Sequence, residues 1–132
     1  EGDAYICGIA PSPENDPDCL DVDVDYDQFE ETVWPLLAAR VPAFETLKME
    51  RAWAGHYAYN TFDQNAVIGP HPEIENILFA NGFSGHGLQQ SPAVGRAISE
   101  LIAFGEYRTL DLSRLAFDRI LDGEPLLERN IV

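Results

Sequence analysis

Basic residues are scarce in this chain. Lysine and arginine together number 8 against 23 aspartates and glutamates, the only lysine is Lys48, and the net charge is −15. Nucleic acid and membrane insertion or attachment are therefore not expected, because phosphate binding rests on clustered Lys and Arg. Cysteine is also sparse. Cys7 and Cys19 have neither metal-ligand spacing nor a disulfide-rich context, which points to a reducing compartment, the cytoplasm first and the mitochondrial matrix as the alternative. No apolar run is long enough to span a bilayer, and no basic-then-apolar start with a cleavage site is visible. Repeats and low-complexity tracts are missing too. The 132 residues suffice for one domain with a real core, and the start at Glu1, without methionine, suggests a piece of a longer product.

What is present reads as a mixed α+β pattern. Ala4–Pro11 has the character of a short apolar strand, followed by a Pro, Asn and Asp loop. Next, Leu20, Val22, Val24 and Tyr26 alternate with Asp21, Asp23, Asp25 and Asp27, a period of two that predicts a half-buried strand with a carboxylate face. An EF-hand would need a central glycine and a terminal glutamate at set positions, and neither is there. Asp27 with Glu30 predicts a capping box opening a helix, which Pro35 interrupts or restarts and Pro42 ends. Leu47–Thr61 has strand character, with Gly55 as a bulge or close-approach point. Residues 65–72 and 76–82 predict two more short strands joined by a proline turn. Ser91 and Pro92 occupy cap and first-turn positions of a helix that carries Val94, Ala97, Ile98, Leu101 and Ile102 at helical spacing and stops near Gly105. A further helix over 112–121 follows Asp111.

The most unusual stretch is "NGFSGHGLQQSPAVGRAISELI", Asn81–Ile102, in which Gly82, Gly85 and Gly87 crowd together before an amphipathic helix. A dinucleotide fingerprint needs a third glycine where Gln90 stands, a P-loop needs a Gly-Lys pair, and a nucleophile elbow needs glycine where His86 stands. His56, His71 and His86 lack helical ligand spacing, so no metal is expected. Two readings remain: a tight strand-to-helix turn, or a helix N-terminus whose open N–H groups and positive dipole end receive an electron-rich group pressed against the backbone.

The same residues resemble the D-amino-acid oxidase superfamily, which includes sarcosine oxidase, glycine oxidase and dimethylglycine dehydrogenase. "GFSGHGLQQSPAVGRAISELI" is similar to its late flavin-contacting segment. "RAWAGHYAYNTFDQNAVIGPHPEIENILFANGFSGHG", with its tryptophan-glycine strand, NT-x-D turn and IG strand, extends the likeness, as do "VWPLLAARVPAFETLK" and "LDLSRLAFDRILDGEPLLERNIV". Within the superfamily the chain resembles most the FAD-dependent oxidoreductase domain-containing branch. The resemblance implies an antiparallel or mixed sheet with flanking helices, the C-terminal part of a two-domain flavoprotein. On this reading residues 1–81 form part of the substrate-domain sheet and a helix, 82–104 the flavin-contacting loop and helix, and 105–132 a C-terminal helix and tail, while the N-terminal Rossmann unit is absent.

By the same resemblance, Gly85, His86, Gly87, Leu88 and Gln89 contact FAD, His86 braces the loop, and Tyr57 or Tyr59 lines the substrate site. Catalytic residues are not identified. Relatives carry a lysine at the position of Gln89 and attach flavin through a cysteine near the position of His56, so the resemblance implies non-covalent FAD and a weaker hold on a substrate carboxylate here. The implied activity of the parent is oxidation of a C–N bond in an amine or N-substituted amino acid by hydride transfer to flavin. This piece is expected to be inactive alone, and a third reading is a fragment whose uncovered faces pair with a copy of itself. The alternative is a non-catalytic, flavin-bound assembly factor or scaffold of the complex I assembly type.

Overall fold

A computed structural model describes residues 3–16 and 18–129 of the chain. They fall into two compact units, Glu1–His56 and Tyr57–Val132. The division lies inside the expected 1–81 portion.

The first unit is helical. Helix α1, Tyr26–Gln28, is capped by Asp25, whose Oδ1 accepts the N–H groups of Asp27 and Gln28 at 3.1 and 3.3 Å. The cap is thus Asp25 and not the expected Asp27. The chain continues through a wide π turn, Phe29–Val33, into α2, Trp34–Arg40. Pro35 explains that turn. Proline brings no N–H to the ladder, and the helix absorbs the missing bond by letting the Trp34 N–H reach five residues back to the Phe29 carbonyl. Pro42 opens a 3-10 turn, Pro42–Thr46, and the Trp34 indole N–H donates to the Phe44 carbonyl at 3.1 Å, folding this turn back on the helix.

Three expected strands do not form: Ala4–Pro11, 20–27 and Leu47–Thr61 have no strand structure, apart from turn and helix at their ends. Alternation marks two faces, but a strand exists only where a neighbour completes its ladder. Among the described residues no neighbour does so. Over 20–27 the aspartates bond locally instead, Asp21 to the Asp23 N–H and Asp25 as the helix cap. Nor is Gly55 a bulge or point of close approach, since a Cβ there would meet nothing within 4 Å.

The second unit holds the core. Strands β1, Val67–Pro70, and β2, Leu78–Asn81, pair antiparallel with Val67 opposite Asn81 and Pro70 opposite Leu78, joined by the expected proline-containing loop. His71 shapes this loop by accepting the Glu73 and Ile74 N–H groups at its Nδ1. Helix α3, Gly87–Phe104, starts five residues earlier than the Ser91–Pro92 signal predicts. Pro92 cannot donate to the Leu88 carbonyl, and the Ser91 hydroxyl donates to it instead at 2.9 Å, so the turn survives the proline. The helix stops as expected at Gly105, left-handed at φ 75° with its N–H on the Leu101 carbonyl. Val94 on α3 packs with Ala66 and Ile68 of the strand region, surrounded by Phe83, Ile98, Leu112 and Leu115.

After α3 the chain is folded back by Glu100, whose carboxylate accepts the Arg108 and Thr109 N–H groups and the Thr109 hydroxyl. The helix expected over 112–121 is two pieces, a 3-10 turn at Ser113–Leu115 and α4, Asp118–Leu121. Arg119 accounts for the break. Its Nη1 takes the Leu115 and Ala116 carbonyls at 2.7 and 3.0 Å, and Ala116 is extended. The expected tail ends at residues 130–132, outside the described residues.

Asp63 and Arg119 form a buried ion pair. Arg119 Nε and Nη2 donate to Oδ2 and Oδ1 of Asp63 at 2.6 and 3.0 Å, and Nη2 also reaches the Asn65 and Ala66 carbonyls. Asp63 further accepts the Asn60 side-chain amide and the N–H groups of Asn65 and Leu126. Removing one partner leaves a buried charge unmatched. Arg119→Met is therefore expected to cost about 3–5 kcal/mol of stability, read from a denaturant midpoint.

Acid should act on two carboxylates. Burial raises the Asp63 carboxyl, but the Arg119 hydrogen bond, the Leu126 and Asn65 N–H groups and the Arg119 charge outweigh it and hold it below the usual carboxylate value. The Thr109 hydroxyl and the Arg108 N–H draw Glu100 down from 4.5 to about 2. Groups lowered on folding stabilise above their unfolded value, and that contribution is lost as pH falls through the folded one. The thermal midpoint is expected to drop between pH 4.5 and about 2, with a shallower drop in Glu100→Gln, measured by circular dichroism.

Candidate functional site

The segment from β2 to α3 is the most constrained in the second unit. Gly82, Ser84 and Gly85 have φ of 70°, 48° and 96°, so the backbone passes three times through a region that L side chains resist. Ser84 is the residue with a side chain among them, and it is fully buried at 0% exposure. Its N–H donates to the Ala58 carbonyl at 3.2 Å, and its Oγ accepts the Asn60 N–H at 2.9 Å. The glycine loop is thereby sewn to residues 58–60. The bound, buried hydroxyl also leaves nothing for the nucleophile role that the missing elbow motif already argued against.

The His86 N–H donates to the Phe83 carbonyl, and the His86 carbonyl receives the Gln90 N–H, the first bond of α3. Among the described residues the His86 ring makes no hydrogen bond, so the bracing expected of the side chain is done by its backbone. Among the described residues no side chain caps α3, and no acidic residue lies in its first turn. The N–H groups of Gly87, Leu88 and Gln89 precede the first ladder bond and stand at the positive end of a helix 18 residues long.

Gly85, His86 and Gly87 are half-buried, whereas Leu88 is 85% exposed and Gln89 is exposed. An uncovered leucine beside unsatisfied donors makes a surface both apolar and electropositive, suited to a flat, electron-rich ring. Tyr57 and Tyr59 are 49% and 50% exposed and flank Ala58, whose carbonyl holds Ser84. The structure thus joins the two groups of expected site residues through Ser84. The segment bearing the tyrosines is not the strand expected over Leu47–Thr61.

Ser84, Asn60, Asp63 and Arg119 escaped the sequence reading as a linked group. Asn60 and Asp63 carry a signal in the NT-x-D turn, where an Asn side chain that bonds its own backbone is expected: Asn60 Oδ1 accepts the Phe62 N–H at 3.1 Å. Arg119 sits 56 residues from its partner and has no comparable mark.

Residues 2–101 match the family of FAD dependent oxidoreductases designated DAO. The FAD-dependent oxidoreductase domain-containing protein 1 of Xenopus laevis is 60% identical over 131 residues, which is 99% of this chain and 26% of that protein. Glycine oxidase of Bacillus subtilis (strain 168) is 37% identical over 67% of this chain and 24% of the enzyme. Among solved structures, L-proline dehydrogenase from P. horikoshii superposes with a TM-score of 0.72 at 34% identity, covering 81% of this chain and 28% of the dehydrogenase. The chain spans about a quarter of the length of these curated relatives.

The strained loop predicts its own sensitivity. Gly85→Ala places a side chain at φ 96° and is expected to destabilise the protein by about 1–3 kcal/mol, measured by chemical denaturation.

Proposed function

The chain belongs to the DAO family of FAD dependent oxidoreductases, and we propose that it forms the flavin-facing part of an enzyme that oxidises a C–N bond in an amine or N-substituted amino acid. The observation that carries this reading is the N-terminus of α3, reached through a left-handed loop and given no capping hydrogen bond by any side chain of the described residues. That donor set fits FAD. Gly85, His86, Gly87, Leu88 and Gln89 would hold it non-covalently, and FAD when bound supplies the two-electron acceptor for the oxidation.

The chain's own contribution is placement and charge. The open N–H groups and the helix dipole favour negative charge beside the loop, which supports acceptance of electrons there. Leu88 offers an apolar surface that excludes water once covered. Tyr57 and Tyr59 would line the substrate side, tied to the loop through Ala58 and Ser84. The names of two relatives, glycine oxidase and L-proline dehydrogenase, point to small amino acids as the substrate class. The exposed free thiols Cys7 and Cys19 support a reducing compartment, for which we propose the cytoplasm.

Gln89 favours a second reading, a flavin-bound scaffold without turnover. It places a neutral amide at the edge of the site, where a cation would pair with a substrate carboxylate.

The test begins with the longest natural polypeptide that contains this segment, purified without added cofactor. A flavin absorption spectrum released by acid precipitation, with turnover of N-substituted amino acids, is expected. A protein that stays colourless in added FAD would refute the flavin reading, and flavin without turnover of any amine would favour the scaffold. In the enzyme reading Gln89→Lys lowers KM for a carboxylate-bearing substrate about tenfold, the scale of one charge-assisted hydrogen bond, and leaves simple amines unaffected.

A further inference from the structure

We propose that Ser84 is a positioning residue: with Asn60 it transmits the hold of the Asp63–Arg119 pair to the glycine loop, so that the loop and the segment bearing Tyr57 and Tyr59 are held as one body. The clamp stands on geometry alone; its effect on FAD rests on the reading above.

The chain of contacts is continuous. Arg119 grips Asp63 through two nitrogens, and Asp63 accepts the Asn60 side-chain amide at 3.0 Å. The same amide nitrogen bonds the Asn65 carbonyl at 2.7 Å, so the Asn60 side chain is fixed from both directions. The Asn60 backbone N–H then meets the Ser84 hydroxyl at 2.9 Å, while the Ser84 N–H returns to the Ala58 carbonyl. Bonds to residues 58 and 60 from one residue opposite reproduce a β bridge, with the serine hydroxyl standing where a carbonyl would otherwise be.

Two features single out Ser84. It keeps a left-handed backbone, φ 48°, that glycine would adopt without strain, in a loop that uses glycine on both sides of Phe83 and Ser84. It is also completely buried, and its hydroxyl is turned inward to Asn60. A residue kept in a strained conformation for its side-chain oxygen is there for the bond that oxygen makes. The far end of the relay comes from beyond the family-matched residues 2–101: Arg119 and the Leu126 N–H on Asp63, and the Glu128 N–H on the Asp63 carbonyl. The C-terminal segment thus acts as a buckle for a loop that precedes it in sequence.

The test uses the FAD-containing longer polypeptide with two substitutions. Ser84→Gly keeps the left-handed backbone accessible and removes the hydroxymethyl side chain, and with it the Oγ bonds to the Asn60 N–H and the Gly82 carbonyl. Gly105→Ala strains a left-handed position at the other end of α3 and serves as a stability control. Amide hydrogen exchange at Asn60 is expected to accelerate about tenfold or more in Ser84→Gly, the scale of one lost hydrogen bond, while Leu126 on Asp63 stays protected. The Kd for FAD should rise, and the flavin spectrum and reduction potential should shift, in Ser84→Gly and not in Gly105→Ala. Unchanged protection of Asn60 would overturn the clamp. Lost protection with unchanged FAD affinity, spectrum and potential would overturn its role in positioning. A wild-type protein that binds no FAD removes the flavin part together with the reading it rests on, and exchange at Asn60 then decides the clamp by itself.

Discussion

The second unit depends on one buried pair of charges. Asp63 and Arg119 are removed from water at 0% and 8% exposure, where an unpaired charge would be costly. Their geometry meets the cost. The carboxylate receives five donors and the guanidinium reaches four main-chain carbonyls besides its two contacts to Asp63, so little bonding capacity is left unmet around either charge. Everything that approaches the pair is organised by it: the NT-x-D turn, the entry to β1, the break before α4 and the return of the C-terminal segment.

The candidate site takes its order from that anchor. A loop with three left-handed residues has no regular ladder to define it, and it would adopt many shapes if its only support were the strand before it and the helix after it. Ser84 and Asn60 supply the missing constraint. The result is a helix whose first N–H groups find no partner among the described residues, with an exposed Leu88 beside them. Both features are unfavourable in isolation, and the proposed contact with flavin would use them. The same logic applies to the proline six residues into α3: Ser91 repairs the broken bond at the Leu88 carbonyl, so the helix can start at the glycine loop instead of after it.

Much of the second unit was legible in the order of residues. Strands β1 and β2 announced themselves by short apolar runs on either side of a proline turn, and Gly105 ended α3 because a helix stop is a local event. The contiguous candidates Gly85–Gln89 needed no tertiary information to be found together. The first unit was less legible. Alternation over 20–27 is a true periodic signal, yet the chain there follows local aspartate bonds, because period two describes a strand's faces and says nothing about who completes its ladder.

The sequence by itself determined where the glycine loop lies, which helix follows it, and that the helix would end at Gly105, since each rests on contacts between near neighbours. It also carried the likeness to flavin-dependent oxidoreductases. Only the tertiary structure decided that the glycine loop is tied to residues 58–60 through the buried Ser84 hydroxyl. Above all it decided the partnership of Asp63 with an arginine 56 residues away. Local pattern reports the free energy of a residue with its neighbours in the chain. The fate of a buried charge is set by what the fold brings to it from elsewhere.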